Sequence, residues 1–319
     1  MLSNRMFLSA AKTVPYVFTY IPYGYFGGGA SGTTALSTVD RVDYSTDTVT
    51  AAVKGPLSTA LRFIGATGNS SFGYFGGGVN PTPSVVTLIE RISYASDTST
   101  AVAQGSLSAA RYSVTATGNS SYGYFGGGSF PIVSLVDRIS YANDTLTAVV
   151  KGPLSLTVSS TGATGNTSYG YFGGGSPSPA AAATTVGRID YANDTPTATA
   201  KGPLSLGRTA LAATGNSSYG YFGAGVLPPA TTYTTVDRVD YANDTLTAVV
   251  KGPLTLSRAT LTSSGNSSYG YFGGGSTATP SLVTTVDRLS YASDTTAAVA
   301  KGPLSLARNY LAATNHHPV

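Results

Sequence analysis

The chain has 319 residues, only 10% of them charged, and a formal net charge of +4. It contains no Cys and no Trp, which excludes disulfides, thiol nucleophiles and cysteine metal sites. Hydrophobic residues make up 41%, too many for a solvated disordered chain. No apolar run reaches the roughly 18 residues of a membrane-spanning helix, and no block of Lys or Arg points to nucleic acid.

Residues 1–22 stand apart from the rest of the chain. Their apolar stretch is too short for a secretory signal, while Val14, Tyr16, Phe18 and Tyr20 alternate as in a strand. This segment is expected to be an extension or docking arm. From Tyr23 onward the sequence repeats. The string Tyr-Gly-Tyr-Phe-Gly-Gly-Gly at Tyr23 has close copies at Phe72, Tyr122, Tyr169, Tyr219 and Tyr269. Asp-Arg-x-x-Tyr carries Arg41, Arg91, Arg138, Arg188, Arg238 and Arg288. Lys-Gly-Pro-Leu or its variant starts at Lys54, Gln104, Lys151, Lys201, Lys251 and Lys301. Six copies of three strings in one order, spaced by roughly 50 residues, define a repeat protein.

One unit is predicted to hold four strands. An aromatic strand at Tyr219 ends in glycines, and Thr235–Tyr241 alternates. After a turn at Ala242–Thr245, Leu246–Val250 forms a short β-branched strand. Beyond the Lys251-Gly-Pro-Leu turn, the stretch from Arg258 to Ser264 reads as the fourth strand, and Gly265-Asn266 as a hairpin. Nothing has a helical period. Four short strands repeated six times predict an all-β fold, a six-bladed β-propeller of four-stranded blades. Residues 309–314 parallel 209–214, so the C-terminal strand is expected to complete the first blade and close the ring. The propeller should span 23–314, with 315–319 as a tail.

The glycine pair Gly273-Gly274, followed by a variable loop, Tyr291, Pro303 and Arg308, resembles the kelch repeat; Gly223-Ala-Gly225 is a substituted version. The outer strand departs from kelch by reading Leu246-Thr-Ala where that family usually has Trp. The near-identical Tyr-Phe-Gly-Gly-Gly units are also similar to kelch-like virion proteins of marine bacteriophages. That resemblance implies a non-enzymatic structural module: a capsid decoration, tail or fibre component located in the virion. Its partners would be other virion or surface proteins reached through residues 1–22, or further copies of itself. The alternative is a lectin-like propeller on a phage or bacterial surface that binds a host glycan or receptor.

The chemistry available is narrow. All 14 acidic residues fall in repeated slots, where a buried arginine needs a partner. The two histidines, His316 and His317, sit at the terminus, so a Ser–His–Asp arrangement would need that tail to fold back onto a serine, and with no other His and no Cys the usual zinc sites are missing. The copper-radical oxidases of the kelch-like fold need a Cys. No enzyme activity, cofactor or metal is expected. Arg62, Arg111, Arg208, Arg258 and Arg308 approach the handover from outer to inner strand, where the remaining repeat has Val158. They are expected either to bind an anionic ligand at the channel mouth or to bond local carbonyls. The loops after the glycine runs vary and carry no charge, so they are the candidate binding surface. Its proposed anchors are Asn80, Phe130, Leu227 and Tyr233.

Overall fold

The structure, a computed structural model, describes residues 23–178, 182–279 and 281–315. The expected docking arm at 1–22, the histidine pair and part of two loops lie outside those residues. Six four-stranded antiparallel sheets form the blades of a propeller. Blade 5 is representative, with Ala212–Gly215 innermost, then Tyr219–Gly223, Val236–Asp240 and Val249–Lys251. Blades 2, 3, 4 and 6 repeat this order within consecutive sequence.

Blade 1 is assembled from both ends of the chain. Its inner strand is Ala312–Asn315, paired with Tyr23–Gly27 in the register Gly24↔Asn315 to Gly27↔Ala312. The expected closure is thus present, and the strand reaches Asn315, one residue past the expected boundary. Asn315 stands where the other blades have the glycine that opens the Gly-Asn hairpin, such as Gly265, and Gly24 where they have its strand partner, such as Gly270. In those hairpins an Asn side chain organises the turn. The Asn266 Oδ1 accepts from the backbone N–H of Ser268 and Tyr269, both at 2.8 Å.

Two segments differ from the sequence expectation. The outer strand of blade 5 begins at Val249, and Leu246 lies in the preceding turn, 62% exposed. The stretch from Arg258 is not a continuous strand, because Thr260 has φ +59° and breaks it before Thr262–Gly265. Residues equivalent to Thr260 do the same in every blade: Phe63, Ser113, Ser160, Ala210 and Tyr310 all have φ between 53° and 59°. This left-handed conformation is uncommon without glycine, most of all for β-branched Thr. Here it turns each N–H toward the neighbouring blade. Phe63 donates to the Tyr310 carbonyl, Tyr310 to Thr260, Thr260 to Ala210, Ala210 to Ser160, Ser160 to Ser113 and Ser113 to Phe63, at 2.8–3.0 Å. The six bonds make a closed belt around the channel.

Blade junctions also carry a second, charged fastening. In the last junction Asp47 of blade 1 accepts from Tyr271, Arg288 and Lys301 of blade 6 at 2.8, 2.8 and 3.2 Å. Asp97, Asp144, Asp194, Asp244 and Asp294 repeat the arrangement, with Gln104 replacing the lysine opposite Asp144. Each Tyr is stacked on a Tyr of the next blade, as Tyr221 is on Tyr291 with ring centroids 4.8 Å apart. Burial pushes these hydroxyls well above the usual phenol range, the Tyr221 hydroxyl among them. They therefore stay protonated donors. In Asp294 burial is opposed by hydrogen bonds from Tyr221 and Lys251 and the charge of Arg238, which hold its carboxyl below the usual range.

The core is divided by these junctions. The aromatic strands bury both faces: Tyr221 and Phe222 are fully inaccessible, and each Phe packs against the neighbouring blade's glycine. Glycine in Lys-Gly-Pro-Leu is required by the same close approach. A Cβ on Gly252 would run into the Thr296 carbonyl of blade 6.

Candidate functional site

The propeller has two unlike ends. At one, the Gly-Asn hairpins surround a cavity of about 360 Å³ lined by all six inner strands. Its lining is repetitive: Ala-Thr-Gly-Asn at 66–69, 116–119, 163–166 and 213–216, with Ser263-Ser264-Gly265 and Ala313-Thr314-Asn315 completing the circle. Most of its polar side chains are already engaged. Thr67 and Thr164 share hydrogen bonds with the Tyr141 and Tyr241 hydroxyls at 2.8 and 3.2 Å, and the hairpin Asn oxygens hold their turns.

The other end carries the belt and the variable loops. A smaller hollow of about 80 Å³ is lined by the belt residues and the leucines beneath them. The loops join this rim by backbone pairing: Arg62 bonds reciprocally with Val79, and Tyr112 with Ser129. The hollow's side chains do not repeat. Phe63 and Tyr310 lie with ring centroids 3.8 Å apart, Tyr112 is 5.6 Å from Phe63, and the Arg62 guanidinium carbon is 5.4 Å from the Phe63 ring. Elsewhere on the rim the belt presents Ser113, Ser160, Ala210 and Thr260.

The expected ring of anion-binding arginines is not formed. Arg111, Arg208, Arg258 and Arg308 are almost completely buried between blades. They pair with Asp137, Asp237, Asp287 and Asp40 at 2.7–3.0 Å. They also donate to backbone carbonyls, as Arg258 does to Gly274 and Phe272. Desolvation disfavours both charges of such a pair, raising the Asp237 carboxyl and lowering the Arg208 guanidinium. An isolated charge there would be costly. Arg62 does not belong to this set. Counting from the Lys-Gly-Pro-Leu turn, the equivalent position is Leu61, which is buried, and Arg62 lies on the rim.

The slots without arginine show how the pairing works. Blade 4 has Val158, and its aspartate position is Gly187, so both partners are gone together. Blade 2 has Leu61 but keeps Glu90, fully buried, with no cation. Glu90 Oε1 accepts from Ser58 and from the Thr59 N–H, and its Oε2 is buried without a partner. Burial, only partly offset by those bonds, raises its carboxyl.

The predicted loop anchors divide into two groups. Phe130 is 67% exposed and follows Ser129, the partner of Tyr112. Asn80 follows Val79, the partner of Arg62, but its Oδ1 holds its own loop by accepting from Thr82 and Ser84. These two flank the aromatic arc on blades 2 and 3. Leu227 and Tyr233 are half-buried in a hairpin on blade 5, across the ring. Sequence reading missed Phe63, Tyr112, Tyr310 and Asn309. The available signal was their departure from the repeat at two positions otherwise held by Ser, Thr or Ala.

No family model and no curated protein matches the sequence. Among solved structures the chain is similar to one described as the structure of YjhT, with a TM-score of 0.69 and 11% identity. The alignment covers 88% of this chain and 97% of that one. At this identity the likeness carries the six-bladed fold alone. No helix among the described residues is long and apolar enough to cross a membrane. No group of three or more His, Cys, Asp or Glu among them is placed to hold a metal.

Proposed function

We propose that the chain is a non-enzymatic structural and interaction module of a bacteriophage virion, serving as a capsid decoration, tail or fibre component. The observation that carries this reading is where the charge goes. Carboxylates and cations are spent on fastening each blade to the next, the closing junction included, and neither cavity is lined by an acidic residue. Such a ring is a stiff block whose variable parts are neutral loops, a design suited to assembly. The resemblance to kelch-like virion proteins supplies the virion setting. Mass spectrometry of purified particles tests it. The expected result is many copies per particle, and absence from every particle fraction would overturn it.

A second reading, a receptor-binding propeller on a phage or bacterial surface, is favoured by one observation. The aromatic arc of Phe63, Tyr112 and Tyr310 breaks an otherwise repeated rim, beside the exposed Phe130. Aromatic side chains suit both protein interfaces and the faces of sugar rings. A glycan array probed with the wild-type chain and a Tyr112→Ala variant tests it, and only a hit lost in the variant supports it.

A further inference from the structure

The belt is nearly symmetric in its backbone and markedly asymmetric in its side chains. On the arc spanning blades 1 to 3, the two positions before each inner strand hold Asn309-Tyr310, Arg62-Phe63 and Tyr112-Ser113. On the opposite arc the same positions hold only Ser, Thr and Ala. Framework positions in this chain repeat; these do not, and in repeat proteins such positions on one face are where partners are distinguished.

Arg62 is, among the described residues, the one Lys or Arg without a carboxylate partner. Its Nε is buried with no acceptor. At the equivalent position of blade 1 the Asn309 Oδ1 is likewise closed off from solvent, with no donor. A cation without a carboxylate and three aromatic rings thus meet at the lip of a hollow edged with hydroxyls from Ser113, Ser160 and Thr260. A guanidinium without a counter-ion beside aromatic rings suits a ligand that brings an anion together with an apolar face.

We propose that this arc is a subsite for one uronic acid residue of an acidic polysaccharide. The sugar carboxylate takes the place at Arg62 that an aspartate fills for the other arginines, using the planar fork that suits carboxylates. The apolar face of the ring rests on the aromatic arc. A single cation surrounded by uncharged loops matches one anion. An acidic peptide would set its further carboxylates against neutral surface without partners. The inference deepens the receptor-binding reading and rests on it for the kind of ligand; it is independent of whether the chain belongs to a virion.

Calorimetric titration of the full chain with trigalacturonate, maltotriose and hexaglutamate tests it. Trigalacturonate is expected to bind saturably and more weakly as NaCl rises, and Arg62→Gln should lose at least about tenfold in affinity. Tyr112→Ala, which leaves the cation in place, should lose a similar factor. Leu246→Ser, on the far edge of blade 5, should bind as wild type. Should Arg62→Gln fail to fold, Tyr112→Ala and the salt dependence decide. No binding of trigalacturonate, undiminished binding by a folded Arg62→Gln, or tighter binding of hexaglutamate each overturns the proposal. Maltotriose binding that ignores Arg62 would overturn it too, while leaving the glycan-binding reading intact.

Discussion

The Tyr271 hydroxyl donates to Asp47 Oδ2 at 2.8 Å across 224 residues of chain. Arg288 and Lys301 converge on the same carboxylate, and Arg308 reaches Asp40 at 3.0 Å. The junction between the last blade and the first therefore reproduces the other five without a covalent connection. Deleting residues 306–319 removes the inner strand of blade 1 and strands Asp40 as a buried, unpaired carboxylate. The expected outcome, read by circular dichroism on heating, is loss of the cooperative transition. A truncated chain that melts like the full one would show that closure is not needed.

The Arg258–Asp287 pair should behave as a unit. Arg258→Val alone leaves a buried carboxylate without its cation and is expected to cost about 3–5 kcal/mol. Adding Asp287→Gly reproduces the Val158 and Gly187 of blade 4 and should recover part of that loss. Urea unfolding of the two single variants and the double one measures the coupling. A double variant as unstable as the sum of the singles would mean the two positions do not communicate.

Glu90 predicts a specific pH dependence. Its carboxyl is raised in the folded state by burial. Its contribution is therefore fully present below the unfolded carboxyl value and fades as pH rises through the folded one. Glu90→Gln keeps the acceptor for Ser58 and Thr59 and removes the ionisation. Wild type and variant should be about equally stable near pH 4, and at about pH 8 the variant should be more stable by about 1–3 kcal/mol. Parallel pH profiles from thermal melts would overturn this.

Two glycines should respond oppositely to the same change. Gly252→Ala forces a Cβ onto the Thr296 carbonyl of the next blade and is expected to cost at least about 1–3 kcal/mol. Gly187→Ala points a Cβ at the Ser155 side chain, which is able to move. It should be neutral or gain about 0.5–1 kcal/mol from the reduced freedom of the unfolded strand. Denaturant midpoints for the two variants settle the contrast.

Blade number, strand order and closure were legible because they are properties of spacing, and six copies of each string left little freedom. The pairing of buried arginines followed from the cost of an isolated charge. What was misread turned on single residues. Arg62 lies one position past the arginine slot, a shift that is invisible unless Leu61 is counted from the Lys54 turn. Thr260 was read within a strand because β-branched residues favour strands. Its left-handed backbone is imposed by the bond to the Ala210 carbonyl of the neighbouring blade, and local sequence holds no trace of that. The aromatic arc was missed for the same reason: Phe63, Tyr112 and Tyr310 are remote in sequence, and only the ring brings them together.

The belt of six backbone bonds runs in one rotational sense, each N–H pointing to the blade on the same side. A circle with a direction has no first or last member, so the noncovalent structure does not distinguish the blade that contains the chain ends from the other five. Joining Asn315 to Tyr23 through a hairpin and cutting the chain at Asn166 or Asn216 should give circular permutants with the same propeller. The position of the opening then becomes a free choice, which is the property wanted of a scaffold meant to carry an insert on any chosen blade.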